Sequence, residues 1–547
     1  MRSFHRAQIR IELLFARNYS TKKPFYVTTP IFYVNAQPHI GHLYSMCLAD
    51  LQKRWHLFSG RDSFLLTGTD EHGMKVQQSA AKGSKEPQQF CDEISETFRR
   101  LARAANISVD RFIRTTDDDH VRSVQKLWRI LRDNGFIYKS KHEGWYCVSE
   151  EVFYAESETQ AVIDPMTRLP SRMTIETGKP VDWISEENYY FKLSAFQKPL
   201  LKLYEDNPVF VHPKGKLAEV RAVVENGLQD LSISRPTSRV PWGIPVPDDN
   251  SQTVYVWLDA LTNYLTAAGF ADPDFDLDLS RWPASLHIVG KDIIRFHSIY
   301  WPAFLLAANL PVPEQILVHS HWQINSKKIS KSDGNVVDPY YIMDLLGVDS
   351  TRYYLFSQDL MESDGSFDTE AAIARRASDL VNKYGNLVSR TCSLKFDLAG
   401  AVRQVSELPS ARQDNAISIL EFEDELLAKL NTLATNVAVK MESYNIPGAI
   451  SEIWEVLQMT NKFVDLCTPW SKQQRERGNT PLVIYTMADA ARIISIVLQP
   501  FLPDISSRAL DILDVDPKKR TLQFAQCQAD WTFGKNFKQL HLLNHLP

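Results

Sequence analysis

Residues 30–42 read PIFYVNAQPHIGH, and this stretch decides the fold of the chain. Residues 25–29, just before it, are β-branched or aromatic and predict a short buried strand. Residues 43–57, just after it, carry apolar side chains at a helical spacing. A strand, a loop and a helix in this order typically open a nucleotide-binding α/β fold, because the unpaired N–H groups at a helix start favour phosphate.

Three residues of this stretch are candidates for contact with the phosphate. Gly41 lacks a side chain where a nucleotide would approach the backbone. His39 and His42 stand three positions apart, so both side chains can point to one side of a helix. The alternative is a pair of surface histidines beside a helix-start glycine. A second stretch, KKISKSDGN at residues 327–335, is by itself compatible with a solvated basic turn.

Together, the two stretches resemble the paired HIGH and KMSKS signatures of the class I aminoacyl-tRNA synthetases. Residues 39–42 match the first signature and residues 328–332 match the second, in the expected order and separation. Further matches make the chain, from about residue 24 to residue 547, similar to the methionyl-tRNA synthetase family of the mitochondrial or bacterial type. These matches are TTPIFYVN at 28–35, TGTDEHG at 67–73, WLDALTNY at 257–264, GKD at 290–292 and FHS at 296–298.

Composition sets outer limits on the kind of protein. The chain has 547 residues, which is enough for three or four domains. Its net charge of −5 gives no overall basic signature, so any RNA must bind to a local patch. The six cysteines include no C-x-x-C pair, which favours a reducing compartment over a disulfide framework. No apolar run reaches the length of a membrane-spanning helix, so no membrane partner is expected.

The first 23 residues differ from the rest. Six of them are Lys or Arg and only Glu12 is acidic, with apolar residues interleaved. This pattern is typical of a mitochondrial targeting segment, and a merely basic tail is the alternative. We assign residues 1–21 to targeting and expect the mature protein in the mitochondrial matrix.

The remaining chain divides into five regions. A Rossmann-like parallel-sheet domain is predicted for residues 22–134 and resumes at residues 212–325. Between these halves, residues 135–211 are dense in aromatics and lose helical periodicity, which predicts an inserted, largely β connective subdomain. Residues 326–369 hold the lysine loop and a stem-contact region. Residues 370–547 predict an all-α bundle, which the resemblance identifies as the anticodon-binding domain.

Several elements can be predicted within these regions. Residues 254–260, which are apolar or aromatic except for Asp259, predict a strand, as do residues 316–319 and residues 285–292 with their terminal loop. Helices are predicted at residues 85–106, 120–134, 370–394, 414–444, 446–466 and 482–502.

The insertion departs from many family members in its cysteines. Those members hold a structural zinc with cysteine pairs, whereas this chain has Cys147 and then Glu150 where a second cysteine would stand. No other pair follows, so four soft ligands cannot be assembled. We therefore expect no zinc and no other resident metal, as in the zinc-free subgroup.

The resemblance implies a two-step reaction. Methionine and ATP, as its Mg²⁺ complex, give methionyl-adenylate and pyrophosphate, and the acyl group then moves to the 3′ end of initiator and elongator methionine tRNAs. The methionine carboxylate attacks the α-phosphate, so catalysis is positioning and stabilisation of phosphate charge. The residues that the resemblance implies as catalytic are His39, His42, Lys328 and Lys331, and ATP binding adds Gly41, Gly290, Lys291, Asp292 and Ser330.

Methionine has an unbranched side chain with a weakly accepting sulfur, which aromatic and aliphatic walls can bind. Asp70 ends a predicted strand and is a candidate partner for the substrate ammonium group, with a helix N-cap as the alternative. The resemblance implies that the rest of the pocket is formed by Ile31, Tyr33, Trp257, Ala260, Leu261, Tyr264 and His297. Each aromatic taken singly is equally compatible with ordinary core packing.

Two places in the helical domain resemble the anticodon-reading elements of the family. Asn386 and Arg390 are four positions apart and lie on one helix face. Pro469 and Trp470 follow a predicted helix end, where an exposed ring can stack on an unpaired base. A lone tryptophan would more often be core, and the match at both places favours anticodon contact.

Three other functions compete with this prediction. A class I synthetase for leucine, isoleucine or valine would need a larger editing insertion, and one for cysteine would need zinc ligands in its pocket. A smaller nucleotidyltransferase with H-x-G-H would lack the long helical domain. A catalytically inactive RNA-binding relative would not need the two histidines and two lysines. The chain ends soon after the bundle, so we expect a monomer.

Overall fold

The computed structural model describes residues 23–147, 152–163, 170–175, 177–277, 280–324, 327–328, 337–407, 421–472, 479–538 and 541–544. The predicted targeting segment, residues 1–21, lies outside these ranges, as do residues 329–336 of the lysine loop.

Strands and helices alternate through the first two-thirds of the chain, and helices follow. The strands are β1 (Phe25–Tyr33), β2 (Ser63–Asp70), β3 (Arg111–Arg114), β4 (Ile137–Cys147), β5 (Val152–Tyr154), β6 (Thr159–Ile163), β7 (Pro170–Thr174), β8 (Asp182–Phe191), β9 (Val211–His212), β10 (Leu231–Ser232), β11 (Ser234–Pro236), β12 (Pro245–Val246), β13 (Asp249–Val254), β14 (Leu286–Gly290), β15 (Ile316–His319), β16 (Trp322–Ile324), β17 (Lys327–Lys328) and β18 (Gly365–Ser366).

The helices are α1 (Ile40–Phe58), α2 (Met74–Lys82), α3 (Pro87–Ala104), α4 (Asp118–Asp133), α5 (Gln197–Asp206), α6 (Lys214–Glu225), α7 (Val256–Thr266), α8 (Trp301–Ala307), α9 (Pro339–Leu346), α10 (Val348–Phe356), α11 (Thr369–Arg375), α12 (Asn386–Thr391), α13 (Leu398–Ser406), α14 (Glu421–Glu442), α15 (Ile446–Cys467), α16 (Thr480–Leu498) and α17 (Pro503–Ile512). A π-helical turn, Phe296–Tyr300, leads into α8, and a second π-helical segment, Arg376–Gly385, joins α11 to α12.

A six-stranded parallel sheet forms the centre of the catalytic part, in the order β3-β2-β1-β14-β15-β9. Strands β14 and β15 are buried along their whole length, as expected of parallel strands with both faces covered. From the centre of the sheet, β1, β2 and β3 follow one another toward one edge, and β14, β15 and β9 follow one another toward the other edge. The order therefore reverses between β1 and β14. Ligands of open parallel sheets bind at such a reversal, outside the carboxyl ends of the strands.

Pro30 lies at this reversal. β1 pairs with β14 only through Val27 and Thr28, whereas its pairing with β2 extends to Tyr33, with a register shift between Thr28 and Ile31. Proline has no N–H to donate, so a ladder cannot continue through it without interruption. The second half of β1 therefore separates from β14 and leaves a crevice between the two strands.

Gly68 is required by the close approach of β2 and β3. An added Cβ would overlap the backbone carbonyl of Ile113, its partner in the parallel pair. We expect Gly68→Ala to lower the free energy of unfolding by about 3 kcal/mol, because the sheet itself would have to move. Chemical denaturation measures this. Gly83→Ala is the control, since a Cβ there meets nothing closer than 3.5 Å, and equal losses in both variants would contradict the prediction.

The insertion between the halves of the central sheet is largely β, as predicted. It holds an antiparallel sheet in the order β10-β8-β4-β5 and a separate hairpin of β6 and β7. Helix α5 follows, and β9 then belongs to the central sheet through its pairing with β15. The later strand β10 joins the insertion sheet again, so the insertion is tied to the second half of the catalytic part.

The prediction of a strand over residues 254–260 is wrong. Strand β13 ends at Val254, and α7 begins at Val256 and continues to Thr266. Every residue of α7 from Leu258 onward is buried. Residues 254–258 are all apolar or aromatic, and over so short a window a buried helix and a buried strand cannot be told apart.

The C-terminal part is an all-α bundle, as predicted. Helix α15 buries one apolar stripe in this bundle, formed by Ile450, Ile453, Trp454, Leu457 and Val464. Helix α16 is long and apolar enough to cross a membrane by length and composition, so the expectation that no run reaches that length is wrong for this helix. The bundle surrounds it, with 89% of its apolar window buried, as for the core helix of a soluble protein.

Two buried charges join the bundle to α1. Asp50 in α1 and Arg352 in α10 form an ion pair of 2.7 Å, with side chains no more than 1% exposed. The guanidinium of Arg352 also donates to the carbonyl of Phe501, 3.1 Å away, just past the end of α16. This contact fixes the position of α1 relative to the bundle.

All six cysteines are buried thiols. Burial raises the pKa of Cys47, Cys91 and Cys392 to about 12 each, and raises the pKa of Cys527 well above its ordinary value. They act as small apolar core residues.

Candidate active site

A cleft of about 970 Å³ opens at the crevice between β1 and β14. Its walls come from the carboxyl ends of the central strands, the start of α1, and α7. The cleft brings together five of the predicted nucleotide residues, namely His39, Gly41, His42, Gly290 and Asp292. It also brings together all eight predicted methionine residues, namely Ile31, Tyr33, Asp70, Trp257, Ala260, Leu261, Tyr264 and His297.

The two histidines at the start of α1 cap the helix. Nδ1 of His39 accepts from the N–H of Gly41 at 3.1 Å, and Nδ1 of His42 accepts from the N–H of His39 at 3.1 Å. Their rings stack with centroids 3.8 Å apart. Because both Nδ1 atoms accept, each neutral ring carries its proton on Nε2 and can donate it. A Cβ at Gly41 would stand 3.0 Å from the ring of His39, so the glycine also makes room for the cap.

Four pocket residues lie on one face of α7. Positions 257, 260, 261 and 264 follow the spacing of a single helical stripe, whereas the predicted strand would have placed 257 and 260 on opposite faces. Trp257 stacks on Phe296 with ring centroids 3.4 Å apart, and the other three are buried. This stripe forms an aromatic and aliphatic wall, the kind of surface that binds a thioether side chain.

Tyr264 and His297 form a neutral polar pair in this wall. The hydroxyl of Tyr264 lies 2.7 Å from Nε2 of His297, and Nδ1 of His297 lies 2.9 Å from the carbonyl of Ile293. The carbonyl only accepts, so Nδ1 carries the proton and Nε2 accepts from the tyrosine. Burial lowers the pKa of His297 to about 4, which keeps the ring uncharged at neutral pH.

Two further histidines are buried at the cleft: His319 lines it, and His287 does not. Nδ1 of His287 lies 2.7 Å from the hydroxyl of Thr28, and Nε2 of His319 lies 2.8 Å from the hydroxyl of Ser45. Burial lowers the pKa of His319 to about 4 and that of His287 well below its ordinary value. Both rings are therefore neutral hydrogen-bonding partners in the folded protein.

These histidines predict a loss of stability in mild acid. Between about pH 4 and 6.5 the unfolded chain binds protons on His287, His297 and His319 and the folded chain does not, so the free energy of unfolding falls as the pH falls. Burial also lowers the pKa of His56 to about 3, which adds a fourth proton to the unfolded chain, whereas Asp349, whose pKa burial raises to about 6, keeps one proton in the folded chain. The net difference of about three protons gives an expected slope near pH 5 of about 4 kcal/mol per pH unit. Chemical denaturation from pH 7 to pH 5 measures it, and an unchanged slope in His297→Gln would contradict the assignment.

The backbone around Asp70 is held by contacts of the next residue, Glu71. Asp70 is the last residue of β2 and is 8% exposed, and the N-cap of α2 is Gly73, so the N-cap alternative does not apply. Glu71 is fully buried and pairs with Arg114 through two bonds of 2.7 and 2.8 Å. The carbonyl of Glu71 accepts from the indole of Trp242 at 2.6 Å. These contacts of Glu71 fix the backbone that carries Asp70, so the carboxylate of Asp70 can hold a cation at a defined place.

The other predicted nucleotide residues lie elsewhere. Lys291 is not part of the cleft wall and forms an ion pair of 2.6 Å with Asp364. The backbone of Lys328 lies in β17, and its side chain is not among those described. Ser330 and Lys331 lie outside the described residues.

Several cleft residues were not predicted from the sequence. Ile293 and Phe296 lie close to His297 in sequence and line the same wall. Ser320 and His321 directly follow β15, so the rule that ligands gather at strand ends would have found them. Lys179 lines the cleft from the distant insertion, and no pattern in the sequence indicates that contact.

The bundle brings together two of the residues predicted to read an anticodon. The guanidinium of Arg390 lies 5.0 Å from the ring centroid of Trp470 and pairs with Asp465 at 2.6 Å. Trp470 is 42% exposed, and Pro469 beside it is buried. Asn386 is exposed one turn before Arg390 on the same helix. An exposed indole beside a guanidinium is a suitable platform for an unpaired base.

In the part of the chain that the structure describes, no group of three or more His, Cys, Asp or Glu side chains is arranged to hold a metal ion. Cys147 is buried at the end of β4, and Glu150 lies outside the described ranges.

Two family models match the chain. The model described as class I tRNA synthetases (M) matches residues 25–392, which is more than half of the chain. The model described as the anticodon-binding domain of tRNA ligase matches residues 423–536. The two matches cover the parallel-sheet part and most of the helical bundle.

Individual proteins are similar over nearly the whole chain. A Neurospora crassa protein named as a probable mitochondrial methionine–tRNA ligase is 44% identical over 520 residues, which are 94% of this chain and 84% of that protein. The mitochondrial methionine–tRNA ligase of Saccharomyces cerevisiae is 39% identical over 94% of this chain and 93% of its own. The structure of Mycobacterium tuberculosis methionyl-tRNA synthetase bound by methionyl-adenylate superposes with a TM-score of 0.85 at 38% identity, over 96% of this chain and all of that one.

Proposed function

The chain belongs to the methionyl-tRNA synthetase family of class I aminoacyl-tRNA synthetases, and we propose that its cleft carries out both steps of the reaction. The protein is a methionine–tRNA ligase with methionine, ATP and tRNA as its partners. One observation supports the proposal most strongly: the histidine-capped start of α1, the carboxylate of Asp70 and the apolar wall of α7 line the same cleft.

In the first step, an oxygen of the methionine carboxylate attacks the α-phosphorus of ATP, and the bond to the β-phosphate breaks. We propose that Asp70 holds the ammonium group and that the α7 wall, with Ile31, Tyr33 and His297, holds the side chain. The Nε2–H groups of His39 and His42 then donate to phosphate oxygens at the positive end of α1, where negative charge is stabilised. Gly290 and Asp292 bind the nucleoside end of ATP.

The leaving pyrophosphate needs cations on its other side. Lys328, Ser330 and Lys331 supply them in this proposal, with lysine donors closing on the departing charge. Lys291 pairs with Asp364 next to β16, and β16 pairs with β17, the strand that contains Lys328. Lys291 thereby holds the start of the lysine segment in place. Each of these groups acts by position and charge, so no covalent enzyme intermediate is required.

In the second step, a ribose hydroxyl at the 3′ end of tRNA attacks the methionyl carbonyl, and AMP leaves. The distant bundle selects the tRNA. We propose that Trp470 stacks on an anticodon base, while Arg390 and Asn386 contact neighbouring groups and Pro469 fixes the turn that presents the indole. Exposure of the indole and its contact with Arg390 support this assignment.

Several finer features complete the proposal. ATP enters as its magnesium complex, the form in which phosphate charge is partly neutralised. The protein is of the mitochondrial type, and we place it in the matrix, serving both initiator and elongator methionine tRNAs. We propose a monomer without a membrane partner or structural zinc, since one chain supplies every wall of the cleft. Light scattering, organelle fractionation and metal analysis test these points.

The decisive experiment is amino-acid-dependent ATP–pyrophosphate exchange with residues 22–547 and each of the twenty amino acids. Exchange with methionine alone, followed by charging of methionine tRNA, is the expected result. Exchange with another amino acid would overturn the pocket assignment. The absence of exchange from folded protein would favour an inactive RNA-binding relative.

A further inference from the structure

We propose that Asp259 and His72 form a positioning pair that sets the distance between the ammonium site and the side-chain wall of the cleft, and so determines the length of amino acid that is activated. This inference rests on the proposed function of the cleft. Neither residue lines the cleft, and both act through the neighbours that do.

The carboxylate of Asp259 is completely buried between two histidines. Its Oδ2 lies 2.6 Å from Nδ1 of His72, and its Oδ1 lies 2.7 Å from Nε2 of His120. A buried carboxylate is costly unless it is paired and hydrogen-bonded, and both oxygens of this one are occupied. Burial by itself would raise the pKa of Asp259, but the two histidines hold it below its ordinary value.

The three members of this cluster belong to three different elements. Asp259 is on α7, between the pocket residues Trp257 and Ala260. His72 follows Asp70 by two residues, in the loop after β2. His120 is in α4, which contributes no residue to the cleft wall. The bond from Asp259 to His72 therefore joins the two halves of the pocket directly, and the bond to His120 joins the pocket only to a supporting helix.

His72 also contacts a pocket residue through its backbone carbonyl. The hydroxyl of Tyr33, a pocket residue, donates to the backbone carbonyl of His72 at 3.2 Å. A shift of His72 would thus move Tyr33 as well as Asp70. Because Asp259 projects from the face of α7 opposite to the pocket stripe, the same bond also opposes rotation of the helix.

The loop has a separate anchor that keeps it folded without this pair. Glu71 is fixed by Arg114 and Trp242, independently of α7. Loss of the bond to His72 is therefore expected to shift the loop relative to α7 without unfolding it. Displacements of about 1 Å in a reacting geometry can cost about a hundredfold in rate.

Two matched variants test the proposal, His72→Ala and His120→Ala. Each removes one hydrogen bond to the carboxylate of Asp259, and His120→Ala also removes the contact between Nδ1 of His120 and the hydroxyl of Thr266, 3.1 Å apart. In methionine-dependent exchange, we expect His72→Ala to raise KM for methionine about tenfold while KM for ATP stays within about twofold. We also expect its preference for methionine over ethionine, which is one methylene longer, to fall about tenfold. His120→Ala should lower thermal stability and leave both the methionine KM and that preference within about twofold.

Asp259→Ala is the third variant; it removes the partner of both histidines and should reproduce the methionine-specific change of His72→Ala. Circular dichroism and a thermal melt establish that each variant is folded. Equal changes in the two histidine variants, or a lowered stability with unchanged methionine KM in both, would overturn the inference and leave Asp259 as a core charge pair. Absence of methionine exchange in the unmodified protein would instead contradict the proposed function.

Discussion

Asp70→Asn is expected to lower kcat/KM for methionine in ATP–pyrophosphate exchange by about 300-fold, while KM for ATP changes by no more than about twofold. The carboxylate is 8% exposed, so an ammonium group bound there is largely withdrawn from water. Removing one member of a buried charge pair costs about 2–5 kcal/mol, and each 1.4 kcal/mol is a factor of ten. Asparagine keeps the shape of the side chain, so the loss reports the charge.

Asp92→Asn is the matched control for this prediction. Asp92 pairs with Arg114, the same guanidinium that holds Glu71, but its side chain is 52% exposed. Its replacement should leave both KM values within about twofold, as expected for an exposed pair. A parallel loss of methionine and ATP affinity in Asp70→Asn would indicate a distorted cleft and contradict the assigned role.

Asp50→Asn is expected to have the largest effect on stability, lowering the free energy of unfolding by about 3–5 kcal/mol. Asp50 is fully buried and accepts from Arg54 at 2.7 Å and from the N–H of Ser108 at 2.8 Å, in addition to its pair with Arg352. The substitution leaves the buried guanidinium of Arg352 without its carboxylate. Chemical denaturation followed by tryptophan fluorescence measures the change.

A second substitution separates the lost charge pair from general disruption. Asp50→Asn combined with Arg352→Met removes both buried charges, and such pairs are often replaced at little cost. We expect the double variant to be more stable than Asp50→Asn alone. Asp206→Asn, in an exposed pair with Lys202, should leave the transition unchanged. A double variant that is less stable than the single one would refute this account of the contact.

Much of the cleft could be predicted because its residues follow strand ends. Glycines, histidines and carboxylates after buried strands converge at one edge of a parallel sheet, whatever their separation in sequence. His39, Asp70 and Gly290 were found in this way or by resemblance. The exposed ring predicted for Trp470 just past a helix end is observed, whereas the ion pair of Arg390 with Asp465 was not predicted.

Other features could not be predicted, for identifiable physical reasons. Helix α7 is buried on all sides, so its apolar run carries no periodicity to distinguish it from a strand. In the cluster of Asp259, His72 and His120, the two histidines are far from Asp259 in sequence. His120 is 139 positions away and His72 is 187 positions away. Pairings of this kind are set by tertiary packing and leave no local pattern. The same holds for the ion pair of Lys291 with Asp364.

The burial of all six cysteines has a consequence for the resistance of the protein to oxidation. Peroxide attacks a thiolate that it can reach, and the oxidised sulfur then goes on to a disulfide or a sulfinic acid. Here every sulfur lies inside the protein, and burial opposes ionisation of Cys47, Cys91, Cys392 and Cys527. The enzyme therefore offers oxidants no cysteine sulfur at its surface, and we expect its activity to survive peroxide concentrations that inactivate enzymes with exposed thiols.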